Sequence, residues 1–323
     1  MFLINFEETL KRLCKINATN NHIMKKIIVV GSSNVDLTAR VKRLPRPGET
    51  IGGATLLRAN GGKGANQAVA AARMGANVLF LTCLGSDASG EMLSTQFAAD
   101  GIDTSCIKLS ATPTGTALIF VDDNAENCIA VAPGANNDLL PSDIDAACRC
   151  MEGAEYLLVQ LEIPMATVVR SVELADSLGI KTILNPAPMG PVPEELFSHI
   201  WLITPNQTEA EQLTGIHVDG EDSARKAAEA LFAKGVKNVI ITMGCHGSLI
   251  CSPEGVELVP ARKVQAIDTT GAGDVYNGAL VAALSEVRSL SESARIATIA
   301  SSVSVTRMGA QTSAPYRNEV DNI

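Results

Sequence analysis

Asp268-Thr269-Thr270-Gly271-Ala272-Gly273-Asp274 sets two carboxylates and two glycines between an apolar segment ending near Ile267 and the alanine-rich, proline-free run 275–284. The order reads as strand, tight glycine loop, helix. Gly271 and Gly273 admit backbone angles closed to other residues and leave the first helix amides facing open space. Such a place attracts anions. A carboxylate at Asp274 would repel a phosphate there, unless its work is to take a proton from the group that attacks the phosphate. Read alone, the motif fits an ordinary helix cap on a solvated loop equally well.

A second concentration of polar groups is Asn60-Gly61-Gly62-Lys63-Gly64-Ala65-Asn66-Gln67, followed by a compact helix over 68–74 that stops at Gly75. Lys63 is not a Walker lysine, because the upstream glycine is absent and Gly64 replaces Ser or Thr. The loop offers bare backbone, one cation and the Asn66 amide at a helix start, a set suited to vicinal hydroxyls. Its alternative is a glycine-rich surface turn. Other ligand-competent groups follow apolar runs: Asn34 and Asp36, Glu162, Asn185, Asn206 with Glu209, and Thr242-Met243-Gly244. Each alone reads as a turn or cap residue. Together they are what one site along the carboxyl edge of a parallel sheet requires.

The elements that must position these groups alternate. Residues 26–30 form a continuous apolar run of the kind buried on both faces of a parallel sheet. Strands near 78–82, 156–160, 182–184, 201–204 and 239–242 interleave with helices near 88–99, 142–151, 166–178 and 222–234. The expectation is an α/β doubly wound, mostly parallel sheet. Runs 249–252 and 256–260 read as an antiparallel hairpin at its edge. Two excursions, about 37–60 and 112–133, read as a small β lid that closes over the reaction and excludes water. Residues 1–23 read as a flexible N-terminal extension, and 24–323 as one domain.

Composition excludes several functions. Lys and Arg number 26 against 35 Asp and Glu, a net charge of −9, and aromatic residues make up only 3% of the 323. Such a surface argues against nucleic acid or anionic membrane as partner and favours a small ligand held by local amides and a few lysines. No apolar run approaches the ~20 residues that span a bilayer. Eight cysteines lack C-x-x-C spacing and read as reduced cytoplasmic thiols, while four separated histidines supply no zinc-ligand pattern. Gly31-Ser32-Ser33-Asn34 lacks the dinucleotide turn G-x-G-x-x-G.

Taken in order, Asn34-x-Asp36, Gly61-Gly62-Lys63-Gly64-Ala65-Asn66, Asn206-x-x-Glu209 and Asp268–Asp274 resemble the PfkB carbohydrate kinase family over roughly residues 24–320. The resemblance implies ATP-dependent phosphorylation of D-ribose at O5, with Asp274 as general base and the amides of Gly271, Ala272 and Gly273 stabilising the transferring phosphoryl group. It implies a sugar set of Asn34, Asp36, Gly62, Lys63, Asn66 and Glu162. It implies nucleotide contacts at Asn206, Thr242, Gly244, Gly247, Gly273 and Thr298. Glu209 would organise Mg²⁺ through water. Asp268, Thr270, Ser304, Arg307, Gly309 and Ser313 match positions that hold an activating K⁺. A homodimer through the β lid is also implied. Other acceptors remain open, namely 2-deoxyribose, fructose or a nucleoside, as does a catalytically silent sugar sensor on the same fold. The intact Asp274 and glycine loop argue against the sensor.

Overall fold

The computed structural model describes residues 24–124 and 126–323, so the expected extension 1–23 lies outside the described residues. The apolar run at its start forms β1 (Lys26–Val30), in which Ile27 through Val30 are fully buried. Next come β2 (Asn34–Arg40), β3 (Thr55–Gly61), α1 (Lys63–Arg73), β4 (Asn77–Leu81), β5 (Cys83–Gly85), α2 (Ala88–Ala99), β6 (Lys108–Ser110), β7 (Gly115–Val121) and β8 (Asn127–Ala132). The second half carries α3 (Pro141–Ala146), α4 (Cys148–Met151), β9 (Ala154–Val159), α5 (Met165–Ser177), β10 (Lys181–Leu184), β11 (Ile200–Ile203), α6 (Gln207–Thr214) and α7 (Glu221–Ala233). It ends with β12 (Asn238–Thr242), β13 (Ser248–Ser252), β14 (Gly255–Val259), α8 (Ala272–Ser285), α9 (Leu290–Ser304) and α10 (Arg317–Asp321).

The main sheet has eight strands in the order β14-β13-β12-β11-β10-β9-β1-β4. From β4 to β12 all neighbours are parallel, and only the pairs β12–β13 and β13–β14 at one edge are antiparallel, which bears out the doubly wound sheet and its edge hairpin. Along β1, Ile27 and Val29 face a layer containing α1, α2, α8 and α9, while Ile28 and Val30 face α3 through α7. Burying each such side chain contributes roughly 1.5–3 kcal/mol. A strand without polar residues is therefore stable only between two helical layers. The chain leaves β1 for β4 on one side and returns to β9 on the other, so the strand order reverses at β1. That reversal opens a crevice at the carboxyl ends of β1 and β9.

A separate four-stranded sheet, order β3-β2-β7-β8, stands beside this edge. Its central strand β2 is antiparallel to β3 and parallel to β7, with Asn34 opposite both Gly61 and Gly115. Strand β8 is exposed along its whole length, and Leu56, Leu118 and Ile129 present apolar side chains to solvent.

Three local readings are corrected. Asn34 and Asp36 begin β2 rather than a turn after β1, because their backbones pair on both sides. The helix read at 68–74 starts at Lys63, where Gly62 (φ 89°) turns the chain and the Ala65 N–H donates to Ser32 O at 2.8 Å. The helix read at 142–151 is two pieces, α3 and α4, divided at Ala147. The two-stranded pairing of β5 with β6 was not anticipated.

Helix α8 follows the glycine loop. Gly271 caps it at φ 73°, in the left-handed region that favours glycine, and the residues from Asp274 through Ser285 are buried. Gly278 permits its close approach to α1: an added Cβ there would lie 2.6 Å from Ala70 Cβ and from Gln67 O. No helix among the described residues is long and apolar enough to cross a membrane.

Candidate active site

Because β1 and β9 through β12 run the same way, the groups that follow them gather at one edge. The loop after β1 is pinned against the start of α1, since a Cβ on Gly31 would lie 2.7 Å from Gly64 Cα. This contact delivers Lys63, Asn66 and Gln67 to the crevice. Helix α8 delivers Asp274 from the opposite side.

Asp274 is 6% exposed. One carboxylate oxygen accepts from Asn66 Nδ2 and the other from Gln67 Nε2, each at 2.9 Å. Burial raises the Asp274 pKa, opposed by the Lys63 charge and the two amide donors, while Glu162 adds to the rise. The result is a carboxylate whose affinity for a proton is above the ordinary aspartate value. Beside it, the N–H groups of Gly271 and Gly273 have no acceptor among the described residues. The Ala272 N–H, expected to be free with them, turns back to Thr269 O at 3.2 Å.

On the β2 side, the Asp36 carboxylate packs against Gly61, where a Cβ would lie 2.3 Å from its Oδ2. Burial, with the charges of Glu162 and Asp274, pushes the Asp36 carboxyl up to about 6. Glu162 accepts from the Ser32 hydroxyl and, at 3.0 Å, from the Lys63 backbone N–H. Asn34 Oδ1 accepts from Asn136 Nδ2 at 2.7 Å, and Asn136 Oδ1 accepts from Ser33 N at 2.9 Å. Asn34, Asp36, Gly62, Lys63, Asn66 and Glu162 thus surround one crevice. Asn66 Oδ1 is buried without a hydrogen-bond partner. An open acceptor beside three carboxylates and one lysine suits a ligand rich in hydroxyl donors.

Asn206 and Glu209 form a reciprocal cap at the start of α6. The Glu209 carboxylate accepts from Asn206 N at 2.8 Å and Asn206 Nδ2 at 2.9 Å, and Asn206 Oδ1 accepts from Glu209 N at 2.8 Å. Burial raises the Glu209 pKa against the pull of the Asn206 backbone and Lys63, and Asp274 adds to the rise. The Glu209 charge therefore shares the field of the crevice. Asn206 bridges to Thr242, after which Gly244 (φ 55°) and Gly247 (φ 96°) shape the turn into β13. Thr298 is nearly buried on α9, its hydroxyl donating to Ala294 O at 2.8 Å, so it offers a ligand mainly its methyl group.

Asp268 has a different setting. Its two oxygens accept from Thr270 N at 2.9 Å and Gly309 N at 2.8 Å. Burial opposes its ionisation, but a bond from the Thr270 side chain, these two backbone donors and the Arg40 charge prevail and hold the carboxyl below the ordinary aspartate value. The Gly309 bond draws the segment after α9 onto the loop, while the Ser313 hydroxyl donates to Ala310 O at 2.8 Å. Arg307 directs its guanidinium away to Glu319, leaving only its backbone for the loop. Among the described residues no three His, Cys, Asp or Glu side chains cluster as a metal centre.

Several members of the site, Asn185 apart, carry no assignment from the sequence. Gln67, Gln160, Asn185, Thr204 and Asn277 form a buried polar chain behind Asp274, and Asn136 locks the turn after β1. The available signal was an amide inside an otherwise apolar helix, as at Gln67 and Asn277.

The model of the pfkB family of carbohydrate kinases matches residues 24–317. A ribokinase of Haemophilus influenzae is 44% identical over 91% of this chain and 97% of its own length. A deoxyribokinase of Salmonella typhi is 37% identical over 90% of this chain and 95% of its own. The structure of Arabidopsis thaliana ribokinase complexed with ribose and ATP superposes with a TM-score of 0.86 at 31% identity, covering 93% of this chain and 98% of that one. With its motifs, its sheet and its length all in register with these relatives, the chain belongs to the pfkB family of carbohydrate kinases.

Proposed function

We propose that this protein is a ribokinase, transferring the γ-phosphoryl group of ATP to O5 of D-ribose. The observation that carries this reading is Asp274: a buried carboxylate of raised proton affinity at a helix start, beside the unengaged amides of Gly271 and Gly273. The sugar lies between Asp36, Asn34, Gly62, Lys63, Asn66 and Glu162, with a hydroxyl on the open Asn66 Oδ1. As the O5–Pγ bond forms and the bond from Pγ to the β,γ-bridging oxygen breaks, the O5 proton passes to Asp274 and ADP leaves with the electron pair. Charge growing on the phosphoryl oxygens meets the Gly271 and Gly273 N–H groups, with Ala272 placing the turn between them.

ATP lies toward Asn206, Thr242, Gly244, Gly247, Gly273 and Thr298. A Mg²⁺ ion bound with the phosphates would neutralise part of their charge. Since both Glu209 oxygens already hold the Asn206 cap, Glu209 reaches the ion only through water. A K⁺ ion would be held where Asp268 draws Thr270 and Gly309 together, by that carboxylate, the carbonyls of Thr270, Ser304, Arg307 and Gly309 and the Ser313 side chain, and its charge would steady the loop. The four-stranded sheet acts as a lid. Its exposed Leu56 and Leu118, which share one face of the sheet, support a homodimer through that face. The cysteines described are all free, which supports a cytoplasmic setting.

A second reading, 2-deoxyribose as acceptor, is favoured by the deoxyribokinase relative. The two differ at one hydroxyl, and a site built to bond that hydroxyl rejects the analogue lacking it. Coupled ADP-release assays with ribose, 2-deoxyribose and fructose, with and without K⁺, decide. A kcat/KM for ribose at least about tenfold above the others is expected. Preference for either rival, or no sugar-dependent ADP, overturns the assignment.

A further inference from the structure

Behind Asp274 lies a polar chain that substrate contact does not explain. Gln67 is fully buried, and its side-chain amide is fully engaged. Nε2 donates one hydrogen to Asp274 Oδ1 at 2.9 Å and the other to Asn185 Oδ1 at 2.9 Å, while Oε1 accepts from Gln160 Nε2. Turned over, the amide would set its oxygen against two other oxygens, so only one orientation is possible. Asn185 is fixed in turn, because its Nδ2 donates to Thr204 O at 3.2 Å. The Thr204 hydroxyl donates to Asn277 Oδ1 at 2.6 Å, and Asn277 Nδ2 donates to Gly273 O at 2.8 Å. The chain thus closes on itself: it leaves the base, crosses two strand ends and returns to the residue just before the base, with Gln160 as a side branch. Asn66 is the contrasting donor, since its own buried Oδ1 has no hydrogen-bond partner among the described residues.

We infer that Gln67 is a positioning residue, which fixes the Asp274 carboxylate in one orientation and stabilises its charged form without touching either substrate. The inference deepens the reading of Asp274 as proton acceptor and rests on it. A carboxylate in a dry crevice tends to protonate or to rotate toward the nearest cation. Here Lys63 pulls from one side, while Glu162, Asp36 and Glu209 push from others. The Gln67 donor gives Oδ1 a fixed partner, leaving the lone pair toward the sugar set by geometry rather than by those charges. The closed ring also ties the carboxylate to the Gly273 peptide, so base and phosphoryl-binding amides keep one spacing.

The test is Gln67→Met, which keeps length and removes both donors. Expected are a kcat lowered about 10- to 100-fold, KM for ribose and ATP within about threefold, and an acid limb of the kcat–pH profile moved up by about one pH unit. The upward direction follows because the lost donor favoured the charged form. A mere packing role would lower kcat without moving the limb, and a folded variant with an unmoved limb overturns the inference. If Gln67→Met does not fold, Gln160→Met decides: it frees only the Gln67 oxygen, so the limb should move the same way by less, and an unmoved limb overturns the inference there as well. Asp274→Asn separates the two readings. An active Asp274→Asn enzyme refutes the base itself; an inactive one, beside an unmoved limb in the Gln variants, refutes only the role of Gln67.

Discussion

Asp268 and Asp274 stand six residues apart in one loop, and their surroundings drive them in opposite directions. Asp268 is half-buried; the Thr270 side chain, two backbone N–H groups and the Arg40 charge hold its carboxyl below the ordinary aspartate value. Asp274 is almost fully buried and meets two side-chain amides in a crevice crowded with other carboxylates, and its proton affinity rises. The Thr270 side chain, the two backbone donors and the Arg40 charge together favour the charged form of Asp268, which fastens the loop to the segment after α9. Side-chain donors in a desolvated pocket leave Asp274 near the balance a proton acceptor needs. Burial opposes the charged form at both positions, and it prevails only at Asp274, the more deeply enclosed of the two.

The largest test of this contrast is Asp274→Asn, expected to lower kcat by about 10²- to 10⁴-fold while leaving sugar and ATP affinities little changed in steady-state and binding measurements. Near-normal turnover would erase the distinction between the two carboxylates. Asp268→Asn should cost less, about tenfold in kcat, and should abolish any difference between K⁺ and a bulky organic cation. A variant that still responds to K⁺ would detach Asp268 from the cation.

Asp36 extends the comparison to the sugar side. With its carboxyl near 6, it gains a proton as pH falls through that value, so KM for ribose should rise several-fold between about pH 7 and 5. Asp36→Asn should flatten that rise. The smallest effect is on stability. A carboxyl whose folded pKa is depressed stabilises the fold above its unfolded pKa and loses that contribution as pH falls through the folded one. The Tm gap between wild type and Asp268→Asn should therefore narrow on acidification, and a gap that widens would reverse the sign assigned to Asp268.

Much of this was legible in the sequence, for identifiable reasons. Strand β1 could be read because a fully apolar run is stable only between two layers, and the Asp268–Asp274 loop because glycine and carboxylate together have few uses at a helix start. The division of α3 from α4 at Ala147 could not, since no proline or glycine marks it. Nor could the amide chain behind Asp274. Gln67 and Asn185 are 118 residues apart, and their bond exists only because Gly31 lets α1 settle against the end of β1. Nothing in the sequence singles out Asn136, which the fold sets against Ser33 and Asn34.

Helix α8, enclosed from Asp274 to its last residue, implies an uneven distribution of motion. Its amide hydrogens should exchange with solvent only through openings close to global unfolding, whereas those of β8, exposed along its length, should exchange through local fraying. The base would then ride on the slowest-opening part of the molecule and Asp36 on a sheet among the faster ones. Bringing acceptor and base together is, on this view, the movement of the sugar-bearing side toward a stationary carboxylate.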